Sequence, residues 1–196
     1  MANRLPLTTG VVYESSLPIT SRNVGTVNGA TVTVIEYGNG IIHQSVFTLA
    51  ATPLTLRNAE QGLGVKIYDF PEGQITILGA TGTVRETTTS ILADTLNTGV
   101  TYNWGVGTVT QANGALATTE QNIIATTNGT ASATINVEAA ASNSAQTTAP
   151  ANFNGNTTAI DAFFNVGIAT ADDIDGDATT TWNGTVTITW LFNGNV

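Results

Sequence analysis

Apolar and polar residues alternate with a period of two along much of the chain, as they do in strands with one face turned to a core. In 185–192, Val186, Ile188, Trp190 and Phe192 alternate with Thr185, Thr187, Thr189 and Leu191. In 130–137, Ala131, Ala133, Ile135 and Val137 alternate with Ser132, Thr134 and Asn136. Asn-Gly pairs begin at Asn28, Asn39, Asn113, Asn128, Asn154, Asn183 and Asn193. Both residues accept positive φ, so these pairs read as tight turns between strands. The densest apolar stretch is 64–81, in which Val65, Ile67 and Phe70 are expected on one side and Lys66 and Tyr68 on the other. Pro71 cannot donate to a ladder and Gly73 permits a sharp turn, so Asp-Phe-Pro-Glu-Gly reads as a rigid corner before Ile75, Ile77 and Leu78 resume a strand. Residues 99–110 read as a strand pair broken at Gly105 and Gly107.

Helical signals are short: 90–96, capped by Ser90, and 118–125, capped by Thr118 or Thr119 with Ile123 and Ile124 inward. Residues 1–24, interrupted by Pro6 and Pro18, read as an N-terminal arm; 25–196 read as one domain, with 139–158 as a long surface loop. The expected fold is an all-β, antiparallel, jelly-roll-like sandwich with one or two helical turns.

A chain of 196 residues buries about 70% of its unfolded surface without staples. The absence of cysteine removes disulfides and thiolate metal sites, and the single histidine, His43, leaves little for a zinc site. No apolar run reaches the roughly 20 residues of a membrane helix, and the first residues lack a signal-peptide core. The expectation is a soluble protein made in the cytoplasm. Charge is uneven: Arg4, Arg22, Arg57, Lys66 and Arg85 balance five acids before residue 86, and nine acids with no base follow, giving −9. That surface repels phosphates and argues against nucleic-acid binding. Charged residues are only 10% of the chain, against about 25% in average domains.

Asp172, Asp173, Asp175 and Asp177, with Gly176, place carboxylates where they could converge on calcium. Ala171 and Trp182 occupy the first and twelfth positions of the EF-hand pattern, so a solvated Asx turn is the competing and favoured reading. His43 beside Ser45 admits a base–nucleophile pair but lacks an elbow motif; a strand histidine donating to a backbone carbonyl or threonine is the simpler expectation. Glu14, Glu36, Glu60 and Glu86 are nominal candidates for a glycosidase pair. Trp104, Trp182 and Trp190, with Tyr13, Tyr37 and Tyr102, raise sugar stacking; Trp190 reads as core, whereas Trp182, before Asn183-Gly184, reads as potentially exposed. The sequons at Asn128, Asn156 and Asn183 are what chance supplies in an Asn- and Thr-rich chain.

Residues 65–79 with the Tyr-Asp-Phe-Pro-Glu-Gly corner, 104–109, 118–124, and the closing 163–170, Asp-rich turn and 184–192 resemble head decoration (cement) proteins of tailed bacteriophages of the marine and cyanobacterial type. The resemblance spans about half the chain. It implies a β-sandwich or jelly-roll body without catalytic residues or cofactor, acting as a homotrimer on the outer capsid surface of the virion and bound to the major capsid protein. The charge division then suggests that Arg4, Arg22 and Arg57 meet acidic capsid groups, with the acidic remainder facing solvent or trimer neighbours. The alternative is a tail or fibre component recognising host glycan, which calls for exposed aromatic residues.

Overall fold

A computed structural model describes residues 25–27, 31–39, 41–57, 62–87, 101–111, 115–130, 137–141, 151–168 and 177–194. They form the strands β1 (Thr26–Val27), β2 (Val32–Gly38), β3 (Ile42–Leu56), β4 (Gly62–Asp69), β5 (Gln74–Glu86), β6 (Thr101–Gly107), β7 (Ile124–Thr130), β8 (Val137–Ala141), β9 (Ala151–Asn154), β10 (Asp161–Ile168) and β11 (Ala178–Gly194), with one 3-10 turn at Thr118–Glu120. Every pairing is antiparallel. A five-stranded sheet has the order β1-β4-β10-β6-β7; the other runs β2-β3-β11-β5-β8, with β9 also on β5. The chain repeatedly crosses between the sheets, and among the described residues only β2–β3 and β6–β7 pair as sequence neighbours. This is the expected jelly-roll-like sandwich.

The two sheets enclose one apolar cluster. Phe47, Tyr68, Phe70 and Trp190 meet edge to face through ring centroids 5.0–5.2 Å apart, and Phe164 links Trp182 and Trp104 at 5.4 and 6.1 Å. Long strands keep their apolar residues inward because bulges reset their phase. In β3, His43, Ser45, Phe47 and Leu49 face the core before the irregularity at Ala50–Ala51, and Thr52 and Leu54 face it afterwards. Ala51 adopts φ 52°, and its N–H is held by the Asn183 side chain at 2.8 Å. In β4 the extra residue is Ile67, opposite the Ala162/Phe163 step. That bulge turns Tyr68, expected on the outer side, fully into the core beside Ile67.

The Asp69–Gly73 corner is not a hairpin: it carries the chain from the five-stranded sheet to the six-stranded one. Phe70 N–H donates to Ile160 O at 2.8 Å, and Gly73 and Gly155 exchange backbone bonds of 3.2 and 2.8 Å, clamping the corner to the segment after β9. Among the Asn-Gly pairs, Asn39 does close a hairpin, its Oδ1 accepting the N–H groups of Ile41 and Ile42. Asn128 and Asn183 instead lie within β7 and β11. Gly184 supplies φ +147° inside an uninterrupted strand. The expected loop at 139–158 is also corrected, since 137–141 and 151–154 are strands laid end to end on β5; 142–150 lie outside the described residues. The 118–125 turn shortens to Thr118–Glu120, after which Ile123 and Ile124 are buried as expected. Residues 101–107 form one strand rather than two. The arm at 1–24, the turn at 90–96 and residues 131–136 lie outside the described residues.

Asn165, fully buried on β10, fixes the excursion between β6 and β7. Its Nδ2 donates to Val109 O and Glu120 O at 2.9 and 2.8 Å, and its Oδ1 accepts Gln111 N–H at 2.9 Å.

A Cβ added at Gly184 would lie 2.3 Å from Thr83 O in a left-handed conformation, whereas one at Gly194 (φ +100°) meets nothing within 4 Å. Gly184→Ala is therefore expected to lower stability by more than the roughly 1–3 kcal/mol of backbone strain alone, and Gly194→Ala by no more than that strain. Urea denaturation of the two variants checks the order; equal losses would refute the close approach.

Candidate functional site

The sequence places Glu36 on the same side of β2 as Val32 and Val34, and His43 and Ser45 in phase with Phe47 and Leu49. Strand pairing then sets Glu36 directly opposite Ser45. The result is a polar cluster inside the sandwich. Ser45 Oγ donates to Glu36 Oε1 at 2.9 Å, Trp190 Nε1 donates to Ser45 Oγ at 2.8 Å, and the Tyr68 hydroxyl donates to Glu36 Oε1 from the opposite sheet. Gly25 N–H donates to that hydroxyl at 2.7 Å. His43 is fully buried and stacks on Trp190 with ring centroids 4.0 Å apart. Its Nδ1 is 3.8 Å from Glu36 Oε2.

This geometry corrects two expectations. His43 does not donate to a backbone carbonyl or threonine: among the described residues neither ring nitrogen has a hydrogen-bond partner. Ser45 is oriented by Glu36 and Trp190 rather than by His43. Burial, followed by the adjacent Glu36 carboxylate, raises the Tyr68 phenol far above its ordinary value of 10.0. The cluster thus holds a proton at Tyr68 and ties the two sheets together.

A second polar group lies at the margin of the five-stranded sheet, where Asp161 on β10 pairs with Asp69 on β4. Lys66 Nζ reaches Asp69 at 2.5 Å and Asp161 at 3.3 Å. Hydrogen bonding to Asp69 heads the causes that raise the Lys66 pKa, while burial and then the contact with Asp69 raise the Asp161 carboxyl. All three side chains are about 30% exposed. The group is therefore a surface clamp, each ion pair worth at most about 1 kcal/mol.

Glu86 is 2% exposed at the end of β5. Glu36 aligns, through Ser45 and Ile188, with Ala80 on that strand. At about 3.3 Å per residue, Glu86 lies roughly 20 Å farther along β5, too far for the carboxylate separation of about 5–9.5 Å in a glycosidase. Glu14 and Glu60 lie outside the described residues. Trp104, Trp182 and Trp190 are all buried, at no more than 1% exposure. The expected exposure of Trp182 is corrected because Asn183-Gly184 continues the strand, so Trp182 packs on Phe164 and donates to Thr180 Oγ1 at 2.9 Å.

Of the proposed calcium ligands only Asp177 is described, exposed just before β11; Asp172, Asp173 and Asp175 lie outside. Among the described residues no three His, Cys, Asp or Glu side chains are grouped to hold a metal. Arg57 follows β3 on the lining of a cleft of about 350 Å³, with Pro53, Thr55, Gly62, Val65 and Gln111; Arg4 and Arg22 are outside the described residues. Sequence reasoning missed the Glu36–Tyr68 link and Asn165. For Glu36 the signal was present, as a carboxylate in phase with apolar neighbours; for Tyr68 it was hidden by the bulge.

No family model matches the chain, and no curated protein does. Among solved structures it is similar to "Structure of infectious bursal disease virus Gx strain", with 10% identity, a TM-score of 0.36, and coverage of 91% of this chain and 38% of the other. The chain thus spans well under half the length of that neighbour.

The raised Tyr68 pKa fixes the sign of a pH dependence. Above pH 10 the unfolded chain loses this proton while the folded chain keeps it, so stability is fully present below about pH 10 and falls as pH rises beyond it. Tyr68→Phe should flatten this alkaline limb. It should also lower stability at pH 7 by about 1.5–3 kcal/mol, since Glu36 loses a donor and Gly25 N–H an acceptor. Urea denaturation from pH 7 to above 10 measures both; parallel pH profiles would refute the assignment.

Proposed function

We propose that the chain is a structural protein of a virus particle: a decoration, or cement, protein that binds across capsomers on the outer surface of a phage head and stabilises it. Its partner is the major capsid protein, and it is made in the host cytoplasm before joining the shell. The observation that carries this reading is the Tyr-Asp-Phe-Pro-Glu-Gly motif, the most specific part of the resemblance to phage decoration proteins. Tyr68 is the phenol that ties the sheets, and the residues after it form the corner clamped by Gly155 and Ile160. The shared residues are thus the ones that set the body's shape, as expected of a protein that acts by presenting a rigid surface.

Four polar side chains of the described core support the same reading. Glu36, Ser45, Tyr68 and Asn165 are engaged in bonds that join strands, sheets and loops. In this proposal the docking face includes Arg57, beside its cleft at the end of β3, together with Arg4 and Arg22. Steering by these cations also explains why the basic residues are confined to the first half of an acidic chain.

Purified protein mixed with mature heads lacking it should bind saturably at lattice positions and raise the temperature at which the heads rupture. Reversing charge at Arg4, Arg22 and Arg57 together should sharply reduce the number of bound copies and flatten the loss of the remaining binding with added salt. Absence of saturable binding would sink the cement reading; wild-type occupancy by the triple variant would sink the arginine assignment alone.

A further inference from the structure

β2 forms one edge of the six-stranded sheet, and among the described residues its only ladder partner is β3. The register runs from Val32 opposite Leu49 to Gly38 opposite His43 without a shift. Ala50 N–H donates to Thr31 O at one end of this ladder, and Asn39 N–H donates to Ile42 O at the other. Antiparallel alternation between these points turns the peptide groups of Thr33, Ile35 and Tyr37 toward β3. The N–H and C=O groups of Val32, Val34, Glu36 and Gly38 consequently face away from the sheet.

Soluble proteins blunt such edges with proline, lysine, a bulge or a very short strand. At the margins of the other sheet, β1 has 2 residues and β7 runs through a register shift against β6. β2 has no such device. Its one charged residue, Glu36, is turned inward and only 7% exposed, whereas Ile35 at the strand's midpoint is 45% exposed and Ile41 in the adjoining turn 61%.

We propose that β2 is a self-association edge: two copies pair β2 antiparallel to β2 about a two-fold axis through Ile35, making one continuous sheet from two. In this register Val34 lies opposite Glu36 of the second copy and Val32 opposite its Gly38, so the outward peptide groups bond to each other. Ile35 faces its own copy in a non-hydrogen-bonded pair, where side chains are closest and Cα atoms are about 4.5 Å apart. Charge selects a second copy as the occupant. Each chain carries −9, so two copies can approach closely only where charge is absent. The outer face beside this edge, formed by Thr33, Ile35, Tyr37, Gln44, Val46 and Thr48, carries none. A nucleic acid finds no base there and a basic protein no acid. The pairing is independent of the virion reading, and its two-fold symmetry differs from the trimer that the resemblance implies.

The chain's lack of cysteine makes the test direct. Under mild oxidation, full-length Ile35→Cys should give a disulfide-linked species of twice the 20.2 kDa chain mass. Thr48→Cys, outward on β3, should stay at the single-chain mass. In sedimentation velocity the unmodified protein should be a dimer that dissociates on dilution, and Ile35→Lys should halve the mass at concentrations where the unmodified protein is paired. An unchanged thermal midpoint for diluted Ile35→Lys and diluted unmodified protein would show that the lysine has not unfolded the monomer. The proposal is overturned if the unmodified protein is monomeric throughout. It is equally overturned if any oligomer, a trimer included, survives Ile35→Lys, or if Ile35→Cys cross-links no faster than Thr48→Cys.

Discussion

The Glu36 carboxylate, held by hydroxyls from Ser45 on the adjacent strand and Tyr68 on the opposite sheet, decides which way β2 faces. Hydrophobicity alone does not. One side of β2 offers Val32 and Val34 with Glu36; the other offers Ile35 and Tyr37 with Thr33. Burying either apolar pair yields a similar gain, at about 1.5–3 kcal/mol per large side chain. A flip of the strand would swap every side chain between core and solvent. It would also strip the Tyr68 and Ser45 hydroxyls of the carboxylate that accepts them, and a buried polar group without its partner costs about 1–3 kcal/mol. The hydrogen bonds break the tie, and Ile35 is left outside as a consequence. The exposed edge and the polar core are two results of one constraint.

The same carboxylate depends on a long-range architecture. Trp190, which supports Ser45, belongs to β11, the last strand in sequence and the middle strand of its sheet. β11 is inserted between β3 and β5, which lie far upstream. Neither strand can complete its ladder until the C-terminal segment arrives, so the six-stranded sheet is built from contacts of large sequence separation, a topology associated with slow folding. Trp182 and Trp190, on the inward face of β11, connect that strand to both aromatic groups of the core.

Much of this was legible in the alternation of residues. The strand over 185–192, the Asn39 hairpin and the sandwich itself follow from period-two patterning and turn chemistry, whereas the burial of Ile123 and Ile124 is expected from a helical turn that the structure ends at Glu120. What was illegible has a common physical cause. A bulge adds one residue to one strand, so a parity rule that holds on one side fails on the other, as at Ile67 and Ala50–Ala51. Parity alone puts Tyr68 outward, and the bulge turns it into the core. Asn183-Gly184 misled differently: its local preference for a turn is real, but the flanking ladders to β3 and β5 hold the segment extended. There Asn183 instead caps the Ala51 bulge and donates to Thr87. With the turn goes the exposure expected of Trp182, which is 1% exposed.

Charge and edge together constrain how such a body can assemble. Acidic copies remain dispersed wherever their charged surfaces meet, so any close contact must fall on a neutral stretch of surface. The outer face of the six-stranded sheet provides one in cross-strand rows: Thr33, Thr48, Thr185 and Thr83 are successive partners from β2 to β5, and Ile35, Val46, Thr187 and Thr81 form the next row. Threonine suits this position because it keeps a strand extended while leaving its face wettable. The surface is therefore neither apolar enough for indiscriminate aggregation nor charged enough for repulsion. On such a face the directional hydrogen bonds of an open strand, rather than buried area, select what can pair with it, and a partner must supply a strand of matching register.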